Sequence, residues 1–434
     1  MQKKKRNPFK IIQYLFICPL FLFFAMIPCL TVFADTPYVV VIDPGHGGEN
    51  LGAEHYGYTE KDLNLVVAKA MKEELERYDN VIVYLTHETD EDMSIKKRAE
   101  FAKEKNADLL LSLHFNASVK HNLYGTEIWI PAYDDYYVTG RTFAEIEMDL
   151  LTAKGLYSRG IKTKLNDSGK DYYGILRYGS ELGVNSVLIE HCHMDQENDL
   201  SFYQEDREKL ISFGKTDALA VARFLQLSSE ELDEDYSDFE LPVVSAPEDG
   251  VPVRPDTTVP ELNQIELLSV DENAGEITVH MHANDRDSYI QYFSYSTDGG
   301  KSYTDLLNWP RLKWNLSEVE HEFKINSKEG DELQIITRAY NGFDGFSESN
   351  TLKIKVPGPV TETAGHAVTS AEYQKENLKE ESFITTIIPK GLSLQDKLAL
   401  LIQIVIISSF MTLIFYLMIR MILMLIQDNR RYRE

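Results

Sequence analysis

A chain of 434 residues exceeds what one ordinary domain needs, and a hydrophobic share of 43% is enough to build buried cores. The formal net charge of -25 excludes a nucleic-acid binder, because phosphate recognition depends on Lys and Arg neutralising backbone charge. Only three cysteines occur, at 18, 29 and 192, so the part beyond the leading apolar run has at most one thiol and no internal disulfide. An exported domain of that kind relies on its core, which suits the surface of a monoderm bacterium.

In chain order, Lys3, Lys4, Lys5, Arg6 and Lys10 precede an uncharged apolar run over 11–33, followed by Ala34. Residues 1–34 therefore read as a signal peptide cleaved before Asp35, or as an uncleaved signal anchor, and either exports the domain beyond it. Cys29 follows Met26, Ile27 and Pro28, a poor match to a lipoprotein site.

From 37 to 227 short apolar runs alternate with amphipathic stretches. Strands are expected at 38–42, 81–85, 108–114, 126–130 and 186–190. Helices are expected at 63–75, 95–105 and 210–227. This alternation predicts an α/β domain, a central mostly parallel sheet flanked by helices. The acidic and aromatic insertion at 131–155 is expected to cover the cleft as a lid.

Apolar periodicity then stops. Residues 228–258 mix acidic residues with Pro242, Pro247, Pro252 and Pro255 and read as a linker. Residues 259–357 alternate with period two and predict an all-β sandwich. A polar spacer at 358–396 leads to a transmembrane helix at 397–426, whose stretch 398–419 carries no charge, and a basic tail at 427–434. Arg420, Arg430, Arg431 and Arg433 place the tail in the cytoplasm. The expectation is a single- or two-pass protein of the cell membrane with its catalytic domain outside.

Four polar residues stand where strands end or a helix begins. His46 is central to the glycine-rich turn 43–48 after the first strand, and glycines there let the backbone turn sharply. That turn lacks the Lys and Ser/Thr of a phosphate loop. Glu60 opens a helix, where a carboxylate also serves the helix dipole. His114 and Glu190 each end a very apolar strand. Two imidazoles and a carboxylate with one open position form the donor set of a catalytic zinc site, and a second carboxylate beside it can move protons. Spacing alone does not establish that the four converge.

The local strings VVIDPGHGGENLGA at 40–53, TEKDLNLVVAKAM at 59–71, KKRAEFAKEKNADLLLSLHFNAS at 96–118 and VNSVLIE at 184–190 resemble the zinc-dependent N-acetylmuramoyl-L-alanine amidases of type 3. The resemblance covers about 39–225. It implies Zn2+ on His46, Glu60 and His114, Glu190 as the catalytic carboxylate, and peptidoglycan as substrate, cut between N-acetylmuramic acid and L-alanine. It also implies that Arg159, Gly160 and the stretch 173–177 shape the cleft.

Arg98 holds a family-typical position suited to an ion pair within the fold or to a substrate contact, and Asn116 is a further candidate beside the metal. The family continues after its catalytic glutamate with a small residue and then Gly-Phe, whereas His191, Cys192 and His193 follow here. His191 and His193 are candidates for supporting the metal site or tuning substrate choice. His55, His87 and His121 lack motif context and are expected to be solvated. Two rival readings are an amidase-like domain that only binds peptidoglycan or recruits a partner, and a zinc peptidase cutting peptide crosslinks.

The stretches 295–303 and 338–342 resemble immunoglobulin-like or fibronectin type III modules. Trp309 and Trp314 are expected in the module's core rather than on a glycan platform. The module is expected to act as a spacer or to dock cell-wall, division or sporulation proteins.

Overall fold

The computed structural model describes residues 36–356, except 205, 272–274 and 311–312, and these residues belong to one compact unit. The expected signal segment, spacer, transmembrane helix and basic tail lie outside the described residues.

In chain order the first part comprises β1 (Tyr38–Pro44), the short pair β2 (Glu54–His55) and β3 (Tyr58–Thr59), α1 (Glu60–Leu75), β4 (Val81–Leu85), α2 (Ile95–Glu104) and β5 (Leu109–Asn116). It continues with β6 (Thr126–Trp129), α3 (Asp134–Ala153), β7 (Ser158–Lys162), α4 (Gly174–Leu182), β8 (Ser186–His193), the single turn α5 (Glu197–Leu200) and α6 (Arg207–Phe224). Six strands form one sheet in the order β4-β1-β5-β8-β6-β7, parallel throughout except where β6 meets β8.

Alternation along each strand sorts side chains between two helical layers. Val40 and Ile42 of β1, Leu111 and Leu113 of β5, and Val187 and Ile189 of β8 pack with the layer that includes α1, α3 and α6. Val41, Leu110 and Leu188 face the other way, against α2 and α4. These strands are apolar on both faces because helices cover both.

Two strands run further than their apolar runs suggested: β5 continues to Asn116 and β8 to His193. Strand β7 and helix α4 had no clear periodic signal. Strand β7 consists of Ser158, Arg159, Gly160, Ile161 and Lys162, and its charged residues are buried by partners distant in sequence. Helix α4 ends at Gly183, whose left-handed backbone, φ 77°, makes a natural stop.

The expected lid is corrected. Residues 134–153 form α3, which packs on β6, β7, β8 and α6. Phe143, Ala144, Glu147, Met148 and Leu151 recur at helical spacing along its buried face, so the helix belongs to the core layer. None of residues 131–155 is among the described residues lining the cleft.

After the short pair β9 (Ser228–Ser229) and β10 (Glu234–Asp235) the chain runs without regular structure to β11. That stretch is nonetheless bonded to the first part: Val253 N donates to Ala132 O at 2.8 Å, Thr163 Oγ1 to Val253 O at 2.7 Å, and Gly250 N to Asp134 Oδ1 at 2.9 Å.

Two antiparallel sheets complete the described chain. One holds β11 (Leu262–Asp271), β12 (Glu276–Asn284) and β15 (Glu318–Asn326). The other holds β13 (Ile290–Ser296), β14 (Leu307–Asn308), β16 (Glu332–Asn341), β17 (Phe346–Glu348) and β18 (Leu352–Lys355). Ile277, Val279 and Met281 from the first sheet and Phe293, Ile335 and Ala339 from the second share one core with Trp309.

This β module abuts β7. At Gly160, φ 94°, a Cβ would lie 1.3 Å from the Tyr289 hydroxyl, so only glycine permits the approach. Tyr157 donates to Gln291 O, Tyr292 to Tyr124 O, and Trp314 Nε1 to Asp149 Oδ1 at 2.8 Å. Trp309 and Trp314 are both buried, the first in the module and the second packed with the first part's core.

Candidate functional site

Strand pairing alone brings the polar residues together. Asp43 lies opposite Ser112, and His114 opposite Glu190, which in turn faces Glu127 on β6. These five residues sit at the same end of neighbouring strands, the usual ligand side of an α/β sheet. A cleft of about 390 Å³ opens there, lined among others by His46, Glu60, His114, Asn116, Tyr173 and Glu190.

His46, Glu60 and His114 each direct one ligand atom into a group whose members lie within 4.8 Å of one another. Glu60, at the first position of α1, has its Oε2 3.0 Å from His46 Nε2 and its Oε1 2.8 Å from His114 Nδ1. Backbone donors fix the same carboxylate: Ala53 N to Oε2 at 2.9 Å and Phe115 N to Oε1 at 3.2 Å. Gly45 makes the geometry accessible, since a Cβ there would come within 2.2 Å of the His114 ring. His46 itself adopts a left-handed backbone, φ 66°, at the centre of the turn.

The outer nitrogens decide what the inner ones offer. His46 Nδ1 lies 3.0 Å from Asn50 Oδ1, an acceptor, so Nδ1 holds the proton and Nε2 keeps a lone pair. Ser112 Oγ donates to Asp43 Oδ2 at 2.8 Å and accepts from His114 Nε2 at 3.2 Å, which leaves His114 Nδ1 with its lone pair. Two lone pairs and a carboxylate converge on one point. Such a set repels itself unless protons or a cation lie between its members, so the donor chemistry fits a divalent metal. Burial opposes the charged forms, yet His114 and His46 hold the Glu60 carboxyl well below its usual range, and Glu60 and Asn50 raise His46 despite that burial.

Arg98 is bound inside the fold. It donates from Nη1 to Asp43 Oδ1 and to Pro44 O, both at 2.7 Å, from Nη2 to His46 O at 2.5 Å, and from Nε to Met93 O at 2.8 Å. Of its two candidate roles, the structure displays the internal ion pair, which pins the turn carrying His46. Asp43, also bonded by Thr86 Oγ1 at 2.7 Å, is the hub of this arrangement.

Glu190 is 9% exposed, and burial followed by the nearby Glu60 and Glu127 charges raises its pKa well above the ordinary carboxyl value. Glu127 behaves oppositely. Its burial is outweighed by Lys162 and Arg159, which hold it ionised. Four donors reach it: Asn116 Nδ2 at 2.8 Å, Trp129 Nε1 at 3.2 Å, Arg159 Nε at 3.0 Å and Lys162 Nζ at 2.9 Å. Asn116, which lines the cleft, and Arg159 are thereby tied to the same buried carboxylate. Tyr173, tilted against Trp129 with ring centres 4.9 Å apart, adds an aromatic flank.

His191 and His193 are buried, and neither lines the cleft. His191 Nδ1 lies 3.1 Å from His114 O and its Nε2 3.1 Å from Asp217 Oδ2. His193 Nδ1 lies 3.0 Å from Gly125 O, and burial, with Arg159 nearby, lowers its pKa to about 4. His87, expected to be solvated, is corrected: it is buried and pairs with Thr86 Oγ1 at 3.1 Å. His121 is exposed and bonds Asp195 Oδ2 at 2.8 Å.

Sequence reasoning missed Asp43, Ser112, Asn50 and Glu127. The first three lie within the quoted strings, but their roles depend on pairing between strands. Glu127 depends on Arg159 and Lys162, more than 30 residues later.

Residues 40–222 match the family described as N-acetylmuramoyl-L-alanine amidase. The chain is 34% identical over 112 residues to the probable N-acetylmuramoyl-L-alanine amidase AmiB of Haemophilus influenzae, covering 25% of this chain and 26% of that protein. It is 30% identical over 151 residues to the uncharacterized protein YqiI of Bacillus subtilis, covering 35% and 68%. Among solved structures, the N-acetylmuramoyl-L-alanine amidase AmiC2 of Nostoc punctiforme aligns at 28% identity over 44% of this chain and 97% of that one, with a TM-score of 0.38. The chain spans about a quarter of the length of AmiB and of a similar curated relative.

Proposed function

Because this chain belongs, through residues 40–222, to the N-acetylmuramoyl-L-alanine amidase family, we propose that it hydrolyses the amide joining N-acetylmuramic acid to L-alanine in peptidoglycan. The observation that carries this reading is the convergence of two imidazole lone pairs and the Glu60 carboxylate beside the buried Glu190. His46, Glu60 and His114 would hold zinc, which supplies a Lewis acid for the amide carbonyl and an acidified water.

The chain's own residues do the rest. Glu190, on the strand next to His114, takes a proton from the attacking water at its carboxylate and returns it to the departing L-alanine nitrogen. Its burial and acidic neighbours favour the protonated form, which suits it to the second of these transfers. Glu127 holds Asn116 in the cleft wall, and Tyr173 gives the substrate an apolar flank. Residues 397–426 would tether the enzyme to the cell membrane with this cleft on the outside.

The test is mass spectrometry of purified cell wall digested with the protein. Release of stem peptides with a free L-alanine amino terminus is the expected product. Cleavage confined to peptide crosslinks, or none from zinc-loaded protein, overturns the proposal.

A further inference from the structure

Strand alternation directs Glu190 to the cleft and its neighbour His191 to the opposite face, into the layer of α1, α3 and α6. There the imidazole is fully buried, tilted against Phe115 with ring centres 5.2 Å apart and against Phe213 at 4.9 Å. A packing residue at this position needs no polar atoms. His191 nevertheless satisfies both ring nitrogens: Nδ1 lies 3.1 Å from the backbone oxygen of His114, and Nε2 lies 3.2 and 3.1 Å from the two oxygens of Asp217 on α6.

The place of the first contact matters. Strands β5 and β8 are in regular register up to the pair His114–Glu190, and the register then slips before Asn116 meets His193. The slip falls at the residue whose ring enters the metal group. A carbonyl oxygen only accepts, so Nδ1 carries a proton and donates to it. One proton then lies between Nε2 and the Asp217 carboxyl, fixing the plane of the ring. Behind Asp217 the buried Glu147 of α3 has its pKa raised well above the ordinary carboxyl value by burial and by the Asp217 charge.

We propose that His191 is a positioning residue for His114: its Nδ1–H clamps the His114 carbonyl where the β5–β8 register slips, and Asp217 holds the ring in that orientation. This inference rests on the reading of His114 as a metal ligand. It gives a role to the stretch that departs from the family pattern.

The experiment uses the full chain in detergent and measures Zn2+ affinity by chelator competition, together with the visible absorption of the Co2+ form, which reports ligand geometry. Asparagine places its amide nitrogen where histidine has Nδ1, and glutamine places its own where histidine has Nε2. His191→Leu and His191→Gln are expected to weaken metal binding about 10–100-fold and to alter the Co2+ band. His191→Asn is expected to stay within about threefold of the parent and to keep the band.

Unchanged affinity and spectrum in the Leu and Gln variants, or equal losses in Asn and Gln, overturn the inference. The Asn and Gln pair decides the matter if the Leu variant fails to fold. Failure of the parent protein to bind either ion overturns the metal reading and this inference together, whereas a metal-binding parent with an indifferent Gln variant overturns this inference alone.

Discussion

Arg159 on β7 donates from Nη2 to both carboxylate oxygens of Asp344 in the β module, at 3.1 and 3.0 Å, while its Nε holds Glu127 beside Glu190. One guanidinium thus joins the module to Glu127, the β6 residue paired with Glu190.

The two carboxylates flanking that guanidinium should differ in weight. Asp344 is 41% exposed in its side chain, so Asp344→Ala is expected to cost about 1 kcal/mol or less after solvent screening. Glu127→Ala leaves Arg159 and Lys162 buried without their shared partner and is expected to cost about 3–5 kcal/mol. Urea unfolding of the two variants checks the order, and equal losses would refute it.

Glu190→Gln keeps the shape of the side chain but removes the capacity to shuttle a proton that the proposed function requires of it. Stem-peptide release is expected to fall by a factor of about 100 or more, while bound zinc measured by mass spectrometry stays at the parent level. Loss of zinc from this variant would instead make Glu190 a ligand.

The bonds to the outer nitrogens set the histidine tautomers. Ser112→Ala removes the acceptor of His114 Nε2–H, and Asn50→Ala removes that of His46 Nδ1–H. Each is expected to lower zinc affinity about 10-fold or more with little change in the far-ultraviolet circular dichroism. Affinities equal to the parent's would show that the rings are oriented by packing alone.

Acidification should destabilise the protein through His193. Its folded pKa of about 4 lies below the ordinary histidine value, so its contribution is complete above about pH 6.5 and is lost as pH falls towards 4. The expected loss between pH 7 and pH 4 is about 3 kcal/mol. Asp199, raised to about 6, works in the opposite sense, losing its contribution as pH rises from about 4 through 6. The informative quantity is therefore the difference between the parent and His193→Asn, which keeps a donor for Gly125 O but does not titrate. Parallel stability curves for the two proteins would contradict the assignment.

The chemistry at strand ends was legible because apolar runs terminate abruptly in His114 and Glu190, and a buried run ending in a charged group calls for a partner. Glu147 was legible too, since it shares helical spacing with Phe143, Ala144 and Leu151, yet the acidic and aromatic composition of 131–155 suggested a surface lid instead. Asp43 and Glu127 were hidden for a different reason. Each looks like an ordinary polar residue until sheet order places Ser112 beside one and Arg159 and Lys162 beside the other. That order, with β6 reversed against β8, is a long-range property no local spacing encodes.

The covered flank of β7 bears on solubility. Strand β7 closes the sheet with β6 as its only strand partner among the described residues, so its outer rim would offer unpaired backbone groups to any passing chain. Tyr289, Tyr292 and Trp309 of the β module gather along that side. A first domain released by proteolysis before residue 259 would expose both the rim and the tyrosines at 124 and 157 that the module now covers, a combination that favours self-association.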